Sequence, residues 1–455
     1  MSMRMLKREQ PHVVILGAGF AGLAAAKQLA NVDVRITLID RTNHHLFQPL
    51  LYQVATAALA APDISAPIRK LLWRQKNVTV WMAGVTRIDV ERRRIVLDSS
   101  ETSYDYLIVA TGMTHAYFGY DRWAQHAPGL KTIGEALDTR RRILRAFENA
   151  ELAESVEERR AWTTFCIIGG GPTGVELAGA IAEIAGRTVS HDFRRFDPRT
   201  TRVLLVEAGP RILATFSEEM SRSAQHQLES LGVEVRTGLA VSDLGSDFVD
   251  IGNERIATRT ILWAAGVRAS PLTAHLGVPV DKAGRIWVEE DLSVPDRSEV
   301  FVVGDLIAKT QDGKPLPGVA QLAMQSGPHA ARNIALSIAG KPRQPFRYVD
   351  KGSMATIGRN KAVAARQLPV QRYHRVVALA DHPRALPRGV STPHRGAVRV
   401  GLGVLHLDAR LAGHPGGPAR ARAHRTGRDA AHAQQLAAAA AQDGVAVGPG
   451  PGGRT

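Results

Sequence analysis

The pattern of apolar and polar positions near the start of the chain predicts a strand, a turn, a helix and a second strand. Residues 13–16 are all apolar, and the glycine-rich turn 17–22 leads into a helix that we expect to end near Ala30. Residues 34–39 predict the next strand, which ends at Asp40. Short apolar runs between turn signals are typical of strands buried in a parallel sheet. This order predicts an α/β unit.

The same pattern returns in the middle of the chain. Residues 165–168 predict a buried strand, and the turn 169–174 precedes a helix predicted over residues 175–184. A strand over residues 202–206 then ends at Glu207, just as the first unit ends in an acid. We therefore predict that the unit is duplicated.

Other short apolar runs predict further strands, and one longer segment predicts a helix. The predicted strands cover residues 78–82, 94–97, 104–110, 260–265 and 299–303. The helix covers residues 319–339, between Pro317-Gly318 and Gly340. Three of the strands deliver small or polar residues to the strand end, where ligands bind in open parallel sheets: Thr111-Gly112, Ala265-Gly266 and Gly304-Asp305.

The glycine spacing in the first turn has a chemical reason. Gly17 permits the tight turn, Gly19 lets the backbone approach a pyrophosphate, and Gly22 lets the helix pack on the strand. The helix N-terminus favours phosphate through its free N–H groups and its dipole. Because the carboxylate of Asp40 can hold ribose hydroxyls, the unit predicts a bound dinucleotide. The second unit repeats this set as Gly169, Gly171, Gly174 and Glu207.

Length and composition limit the chemistry. At about 150 residues per domain, 455 residues predict two or three domains. The chain has one cysteine, Cys166, so it can form neither an intrachain disulfide nor a zinc cluster. No signal peptide precedes the first predicted strand. No apolar run approaches the roughly 20 residues of a membrane-spanning helix.

Four further stretches complete a resemblance to a known family. They are His45–Gln53 (HLFQPLLYQ), Gly174–Leu177 (GVEL), Ala320–Gln325 (AQLAMQ) and Tyr348–Gly352 (YVDKG). With the two glycine turns and the strand ends, they resemble the two-dinucleotide-domain flavoprotein reductases. More specifically, residues 11–365 resemble the type II NADH dehydrogenases of the actinobacterial kind, which are single-chain NADH:quinone oxidoreductases.

The resemblance implies an α/β protein with two Rossmann-like domains, one inserted in the other. FAD would bind residues 11–118 and 276–340, NADH would bind residues 119–275, and a C-terminal domain would begin over residues 341–365. The implied FAD residues are Gly17, Gly19, Gly22, Asp40, Gln48, Thr111, Gly112, Gly304, Asp305 and Gln321. The implied NADH residues are Gly169, Gly171, Gly174, Glu207, Ala265 and Gly266. Around Gln48, simple interdomain packing is the alternative to a cofactor pocket.

The resemblance also implies residues that act on the electron acceptor. Gln321 and Gln325 stand four apart on one helix face, where amides can line a quinone slot; two solvated glutamines are the alternative. Lys351 could place a cation near the flavin, or be a surface lysine. Glu176 is implied on the quinone side of the flavin, in proton supply, with capping or solvation of the helix end as the alternative.

The expected function is a non-proton-pumping respiratory NADH:quinone oxidoreductase. Glu207 favours NADH, because a carboxylate binds the 2′-hydroxyl and repels the 2′-phosphate of NADPH, although Arg211 is a counter-argument. A single cysteine excludes disulfide and sulfide:quinone reductases of this fold. The alternatives are a ferredoxin- or oxygen-type NADH flavoreductase, and an inactive quinone reductase without its membrane anchor. The resemblance also allows for a homodimer.

Residues 366–455 depart from the family. Their 13 arginines and 4 aspartates, without lysine or glutamate, carry +9 of the formal charge of +15. The family usually ends in amphipathic helices that seat it on the cytoplasmic side of the plasma membrane. Because this tail has no such helices, we predict a disordered basic segment, weak membrane contact and a soluble cytoplasmic fraction. Aromatic stacking partners are missing, so nucleic-acid binding is not expected.

The tail has two interpretations. Residues 386–395 can be encoded so that a shift of one nucleotide reads Tyr-Leu-Val-Gly-Phe-Arg-His-Arg, which resembles the missing anchor. The tail is then the product of a frame shift. The alternative is a natural basic tail.

Overall fold

The computed structural model describes residues 10–358 and 361–365. The predicted basic tail, residues 366–455, lies outside the described residues. Among the helices within the described ranges, none is long and apolar enough to cross a membrane.

The helices and strands follow in chain order. The first part of the chain comprises β1 (His12–Leu16), α1 (Phe20–Gln28), β2 (Arg35–Asp40), β3 (His44–Leu46), α2 (Leu51–Ala55), β4 (Ser65–Pro67), α3 (Ile68–Leu72), β5 (Val78–Met82), β6 (Val85–Asp89), β7 (Arg94–Leu97), β8 (Glu101–Ser103), β9 (Tyr106–Val109) and β10 (Met113–His115). The middle part comprises α4 (Ile133–Leu152), α5 (Val156–Trp162), β11 (Thr164–Ile168), α6 (Pro172–Glu183), β12 (Arg202–Glu207), α7 (Glu218–Glu229), β13 (Val233–Thr237), β14 (Val241–Leu244), β15 (Phe248–Ile251), β16 (Glu254–Ala257), β17 (Thr260–Trp263) and β18 (Val267–Ala269). The last part comprises β19 (Ile286–Trp287), β20 (Ser293–Val294), β21 (Arg297–Val302), β22 (Ile307–Ala308), β23 (Thr310–Gln311), β24 (Lys314–Pro315), α8 (Ala320–Ile338), β25 (Ser353–Gly358) and β26 (Lys361–Ala365).

The first unit forms a six-stranded sheet with the order β20-β21-β9-β1-β2-β5. Strands β1, β2, β5, β9 and β21 are parallel, and β20 pairs antiparallel at the edge. β1 is fully buried on both faces, as its apolar sequence predicts. β21 follows the second unit in sequence and yet pairs with β9 in this sheet. The second unit is therefore inserted within the first, as expected.

The second unit forms a four-stranded parallel sheet with the order β13-β12-β11-β17. The strand order repeats that of the first sheet, in which β5, β2, β1 and β9 hold the equivalent places. This is the arrangement of doubly wound dinucleotide-binding folds, in which the first strand lies between the second and the fourth. The predicted α/β fold class is confirmed, while the residue boundaries of the domains stay predictions.

The predicted strand positions agree with the structure to within one or two residues at most ends. The largest difference at a helix start concerns α6, which begins at Pro172 rather than at the predicted residue 175. Proline suits the first helical position because its fixed φ matches the helix and its missing N–H needs no partner there. Glu176 therefore lies in the second turn of α6 rather than in the first.

Two chain crossings join the units and are held by aromatic packing. β10 pairs antiparallel with β18, so the exit from the first unit and the return to it form one ribbon. Beside this ribbon, Trp263 stacks on Tyr117 with ring centroids 4.8 Å apart. The Trp263 indole Nε1–H donates to the carbonyl of Ala116 over 3.1 Å. These contacts link the end of β17 directly to the connecting segment.

The hairpin of β25 and β26 packs against the second unit through a glycine. A Cβ at Gly179, in the middle of α6, would lie 1.7 Å from the carbonyl oxygen of Ile357. Only a residue without a Cβ permits the backbone of β25 to approach the helix this closely. Ala355 and Ile357, which precede and follow Thr356 in the sequence, are both buried.

We predict that Gly179→Ala lowers the free energy of unfolding by about 1–3 kcal/mol, because the added methyl group overpacks the contact. Urea unfolding of the variant and the wild type measures the difference. Gly186→Ala is the control, since a Cβ at Gly186 would meet nothing within 4 Å. Equal unfolding curves for Gly179→Ala and the wild type would contradict the close contact.

Candidate functional site

The first glycine turn has the geometry of a phosphate-binding loop. Gly17 has a φ of +97°, a conformation that L side chains rarely adopt. A Cβ at Gly22 would lie 1.8 Å from the Gly17 oxygen, so only glycine lets α1 pack on the turn. A Cβ at Gly19 would meet nothing within 4 Å. The backbone at position 19 is thus open to a ligand, in the way that the spacing predicts.

Asp40 ties the end of β2 to this turn. Its Oδ2 accepts a hydrogen bond of 2.7 Å from the Ala18 backbone N–H. Its Oδ1 accepts from the Thr42 N–H at 2.7 Å and from the Thr42 hydroxyl at 2.8 Å. A carboxylate has about four acceptor positions. Asp40 therefore orients the turn and keeps acceptor capacity for a ribose.

The second unit repeats this arrangement. Gly169 has a φ of +112°, and a Cβ at Gly174 would lie 1.8 Å from the Gly169 oxygen. A Cβ at Gly171 would meet nothing within 4 Å. Glu207 Oε2 accepts from the Gly170 N–H at 2.6 Å, just as Asp40 accepts from Ala18. The two units are equivalent in geometry as well as in sequence.

Arg211, the counter-argument to NADH, binds the loop that follows β12. Its guanidinium donates to the carbonyl of Phe216 at 2.9 Å and to that of Ala214 at 2.8 Å. Glu207 Oε1 accepts from the Gly209 N–H at 2.7 Å. Arg211 is thus bound to the loop that follows β12, and Glu207 provides the charge beside the second turn.

Thr111, Gly112, Gly304 and Asp305 lie at the carboxyl ends of β9 and β21, beside the first turn. Thr111 Oγ1 is buried and has no hydrogen-bond partner among the described residues, which suits a ligand that supplies one. Gly304 has a φ of +71°, and its N–H donates to the Ser326 hydroxyl at 2.9 Å. Burial raises the pKa of the Asp305 carboxyl, while the positive charges of Lys131 and Arg285 act the other way.

Lys131 is a site residue that the sequence reasoning missed. Burial lowers the pKa of its ammonium, and the charges of Asp305 and Glu135 oppose that shift. It precedes α4, which Thr132 and Glu135 cap reciprocally in a capping box. That box is visible in the sequence as Thr-x-x-Glu, but nothing local indicates that the preceding lysine faces a residue 174 positions away.

Glu135 is held ionised at this helix start. It accepts hydrogen bonds from the Lys131 N–H at 2.7 Å and the Thr132 N–H at 2.9 Å, and it contacts His115 Nε2 at 3.0 Å. Burial alone would raise the pKa of the Glu135 carboxyl, but these bonds lower it to about 2. The carboxylate thereby fixes the loop that carries Lys131.

The segment His45–Gln53 lies against the first turn. His45 Nδ1 donates to the Ala18 carbonyl at 2.9 Å, and Phe20 contacts the His45 and Phe47 rings edge to face. Gln48 is exposed and begins a short 3-10 turn that leads into α2. Pro49 lies inside this turn, where its fixed φ and missing N–H are tolerated. The segment thus contacts the first turn through the side chains of His45 and Phe47. Within the described residues, the exposed Gln48 makes no such contact.

Gln321 and Gln325 each bind the backbone of the segment before β25. Gln321 Nε2 donates to the Gly352 carbonyl at 2.7 Å, and its Oε1 accepts from the Lys351 N–H at 3.1 Å. Gln325 makes the same pair of bonds with Val349, at 2.9 and 3.0 Å. Both glutamine side chains are partly exposed and are bonded to backbone groups. The side chain of Lys351 lies on the surface.

Glu176 points between α6, α2 and β25. Its Oε1 accepts a hydrogen bond of 3.2 Å from the Thr356 hydroxyl, which also contacts the Tyr52 hydroxyl at 2.8 Å. Burial raises the pKa of the Glu176 carboxyl to about 8, against the lowering effect of its hydrogen bonds with Thr356. The alternative of capping or solvation at the helix end is wrong. Burial thus favours the protonated form of this carboxyl.

Ala265 and Gly266 follow β17, at the edge of the second sheet that carries its glycine turn. Gly266 has a φ of +70°, and a Cβ there would lie 2.3 Å from the Phe118 ring. Phe118 is two-thirds exposed and itself has a φ of +53°. This aromatic side chain was not singled out from the sequence.

Comparison with known proteins places this geometry in a family. A family model described as pyridine nucleotide-disulphide oxidoreductase matches residues 11–327. The type II NADH:quinone oxidoreductase Ndh of Mycobacterium tuberculosis is 44% identical over 368 residues, which cover 77% of this chain and 79% of the relative. NdhA of the same organism is 45% identical over 370 residues, with coverages of 77% and 78%. The chain belongs to the type II NADH:quinone oxidoreductases.

The fold agrees with this assignment. The structure of NDH2 from Plasmodium falciparum in complex with NADH superposes with a TM-score of 0.73 at 20% identity, covering 79% of this chain and 90% of that one. The resemblance inferred from the motifs is thus confirmed. The disulfide chemistry in the wider family's name needs a pair of cysteines, and this chain has one, Cys166. Cys166 is buried in β11, and burial raises the pKa of its thiol to about 12.

We predict that Glu176 makes stability depend on pH in a defined direction. A carboxyl whose pKa rises from 4.5 to about 8 on folding contributes stability fully below pH 4.5 and loses that contribution as pH rises through about 8. Relative to Glu176→Gln, which does not titrate, the wild type should lose free energy of unfolding between about pH 5 and about pH 8.5. Urea unfolding across this range measures it, and a constant difference would show that the carboxyl is not buried as described.

Proposed function

We propose that this chain oxidises NADH and reduces a membrane quinone, with FAD as its bound cofactor. FAD, when bound, accepts a hydride from NADH and passes two electrons to the quinone. The observation that carries the proposal is the doubled turn and acid, in which Asp40 and Glu207 hold equivalent places. Two turns of this kind provide for two dinucleotides in one chain.

The residues at the first turn fit FAD. The open backbone at Gly19 and the N-terminus of α1 suit a pyrophosphate, and Asp40 suits the ribose. The Thr111 hydroxyl, which has no hydrogen-bond partner among the described residues, and the partly buried Asp305 supply polar groups further along the same edge. We assign Asp305 to the ribityl hydroxyls. The open Gly171, Glu207 and the Ala265-Gly266 end would hold NADH.

Two positive groups act near Asp305, at the strand end that we assign to FAD. The chain at Gly318, just before α8, approaches the Asp305 carboxyl, since a Cβ there would lie 3.9 Å from its Cγ. The positive end of the α8 dipole is therefore directed here. The Lys131 side chain interacts electrostatically with the same Asp305 carboxyl. The helix dipole and the lysine both favour negative charge on a ligand bound beside Asp305.

We assign Gln321 and Gln325 to the quinone side through the segment that they hold. Their amides bind the backbone of residues 349–352 in pairs, so they fix one wall beside α8 rather than offering free amides to a ligand. Ferredoxin- and oxygen-reducing flavoreductases lack this glutamine pair, which favours the quinone. Because such quinones dissolve in lipid, we place the reaction at the cytoplasmic face of the plasma membrane.

The function is tested with purified, FAD-loaded protein and with membranes. NADH should bleach the flavin absorbance, and a soluble quinone should restore it. Sedimentation of the NADH:quinone activity with membranes, at low and at high salt, reports the attachment. A protein that acquires no flavin absorbance band after refolding with FAD would contradict the proposal.

Glu207→Ala should lower the ratio of kcat/KM for NADH over NADPH by about 10- to 100-fold. Such a change corresponds to the loss of a charged hydrogen bond worth about 1.5–3 kcal/mol. Asp40→Ala is the matched control, because it removes the equivalent carboxylate of the first unit. It should weaken FAD retention and leave the NADH/NADPH ratio unchanged. A ratio that stays the same in Glu207→Ala removes Glu207 from cofactor choice.

Gln325→Ala should slow quinone reduction about tenfold or more while sparing the reduction of the flavin by NADH. The physical reason is that two hydrogen bonds to Val349 are lost, at about 0.5–1.5 kcal/mol each, and the wall segment loosens. Stopped-flow measurement of each half-reaction separates the effects. If both half-reactions fall alike, the glutamine pair has a structural role only.

A further inference from the structure

A chain of hydrogen bonds joins three distant segments at Glu176. Gln53 Nε2 donates to the Tyr52 hydroxyl at 3.0 Å, and Tyr52 contacts the Thr356 hydroxyl at 2.8 Å. Thr356 Oγ1 donates to Glu176 Oε1 at 3.2 Å. Thr356 is 304 residues from Tyr52 and 180 from Glu176 in sequence.

The donors in this chain have a single consistent direction. The Gln53 amide nitrogen can only donate, so the Tyr52 hydroxyl is free to donate onward to Thr356. Thr356 then donates to the ionised Glu176. When the Glu176 carboxyl is protonated, its own O–H can donate back to Thr356 and reverse the bond. The Thr356 hydroxyl can therefore both give a proton and receive one.

The position of Thr356 is built into the packing of β25. Neighbouring side chains of a strand point to opposite faces, so the buried Ala355 and Ile357 share one face and Thr356 occupies the other. The close contact of Ile357 with Gly179 fixes the height of the strand on α6. Thr356 thereby reaches Glu176 from one side and Tyr52 of α2 from the other.

The proposed reaction needs a proton at this point. Reduction of a quinone to a quinol takes two electrons and two protons, whereas a hydride from NADH carries two electrons and one proton. The second proton must come from water through the protein. The family resemblance implies that Glu176 lies on the quinone side, and an acid that protonates the quinone must be reprotonated after each turnover.

We propose that Thr356 is a positioning residue that relays this proton from Tyr52 to Glu176, an inference that rests on the proposed quinone reduction. The Glu176 O–H bond breaks as the quinone O–H bond forms. The Thr356 hydroxyl then gives its proton to the carboxylate and takes that of Tyr52. Tyr52, which is partly exposed, regains a proton from water, and no group is oxidised or reduced in the relay.

The charges around these hydrogen-bonded side chains agree with proton transfer from Tyr52 towards Glu176. Burial raises the pKa of the Tyr52 phenol, and the carboxylates of Glu176 and Glu183 add to the shift. Tyr52 therefore holds its proton except when Thr356 passes one onward in the same step. The Thr356 hydrogen bonds lower the pKa of Glu176 against burial, so losing the hydroxyl should raise it.

Thr356→Val tests the relay, because valine keeps the shape and removes the hydroxyl. In the FAD-loaded protein we expect quinone reduction to fall at least about tenfold, with the NADH half-reaction unchanged. The protonated carboxyl band of Glu176, seen by infrared spectroscopy against pH and assigned with Glu176→Gln, should persist to a pH about one unit higher. Thr356→Ser should restore both.

Two further variants make the outcome decisive. Tyr52→Phe removes the donor at the other end and should slow the same half-reaction, so the question is answered even if the valine variant fails to fold. Lys361→Ala breaks the bond of 2.6 Å between the hairpin and Ser230 without touching the relay, and should change nothing. An unchanged quinone rate in folded Thr356→Val overturns the relay. A wild type that reduces its flavin with NADH but reduces no quinone overturns the proposed function instead.

Discussion

Close backbone contacts that only glycine permits hold this structure together. At Gly22 and Gly174 a Cβ would lie 1.8 Å from the oxygen of the first glycine of the turn. Only glycine at these positions lets each helix pack this closely against its turn. At Gly327 a Cβ would lie 2.1 Å from the Ala21 oxygen, where α8 crosses α1. At Gly179 the same constraint sets β25 on α6. The cofactor turns and the relay residues all depend on these approaches.

Two partly buried acids, Glu135 and Glu176, have pKa values that their surroundings shift in opposite directions. Glu135 accepts bonds from two backbone N–H groups and contacts a histidine, so it stays ionised and anchors a loop. At Glu176 only hydrogen bonds with Thr356 oppose the effect of burial, so the pKa of its carboxyl rises to about 8. Hydrogen-bond donors stabilise a carboxylate, and desolvation stabilises the neutral acid. The number of donors around each side chain therefore decides the direction in which its pKa moves.

Two of the three segments that meet at Glu176 belong to neither nucleotide turn. Tyr52 lies on α2, which continues the segment that touches the first turn through His45. Thr356 lies on the hairpin after α8, whose preceding segment the two glutamines hold. The proposed proton relay therefore depends on how the hairpin packs against α6 and α8.

The sequence alone determined the local elements and the two nucleotide turns. Gly17, Gly169, Asp40 and Glu207 were predictable because the turn needs positive φ, close packing and an acid at fixed spacing within one unit. The family motifs extended this to the insertion of the second unit, which the pairing of β21 with β9 confirms.

The tertiary structure decided which distant groups meet. The glutamines could be placed on one helix face, but not on the backbone of residues 349–352. Lys131 and Thr356 carried no local signal, because their partners lie more than a hundred residues away along the chain. Periodicity describes which face of an element is buried. It does not describe which side chain of another element lies against that face, and at Glu176 it is the contact with Thr356 that opposes the effect of burial on the pKa.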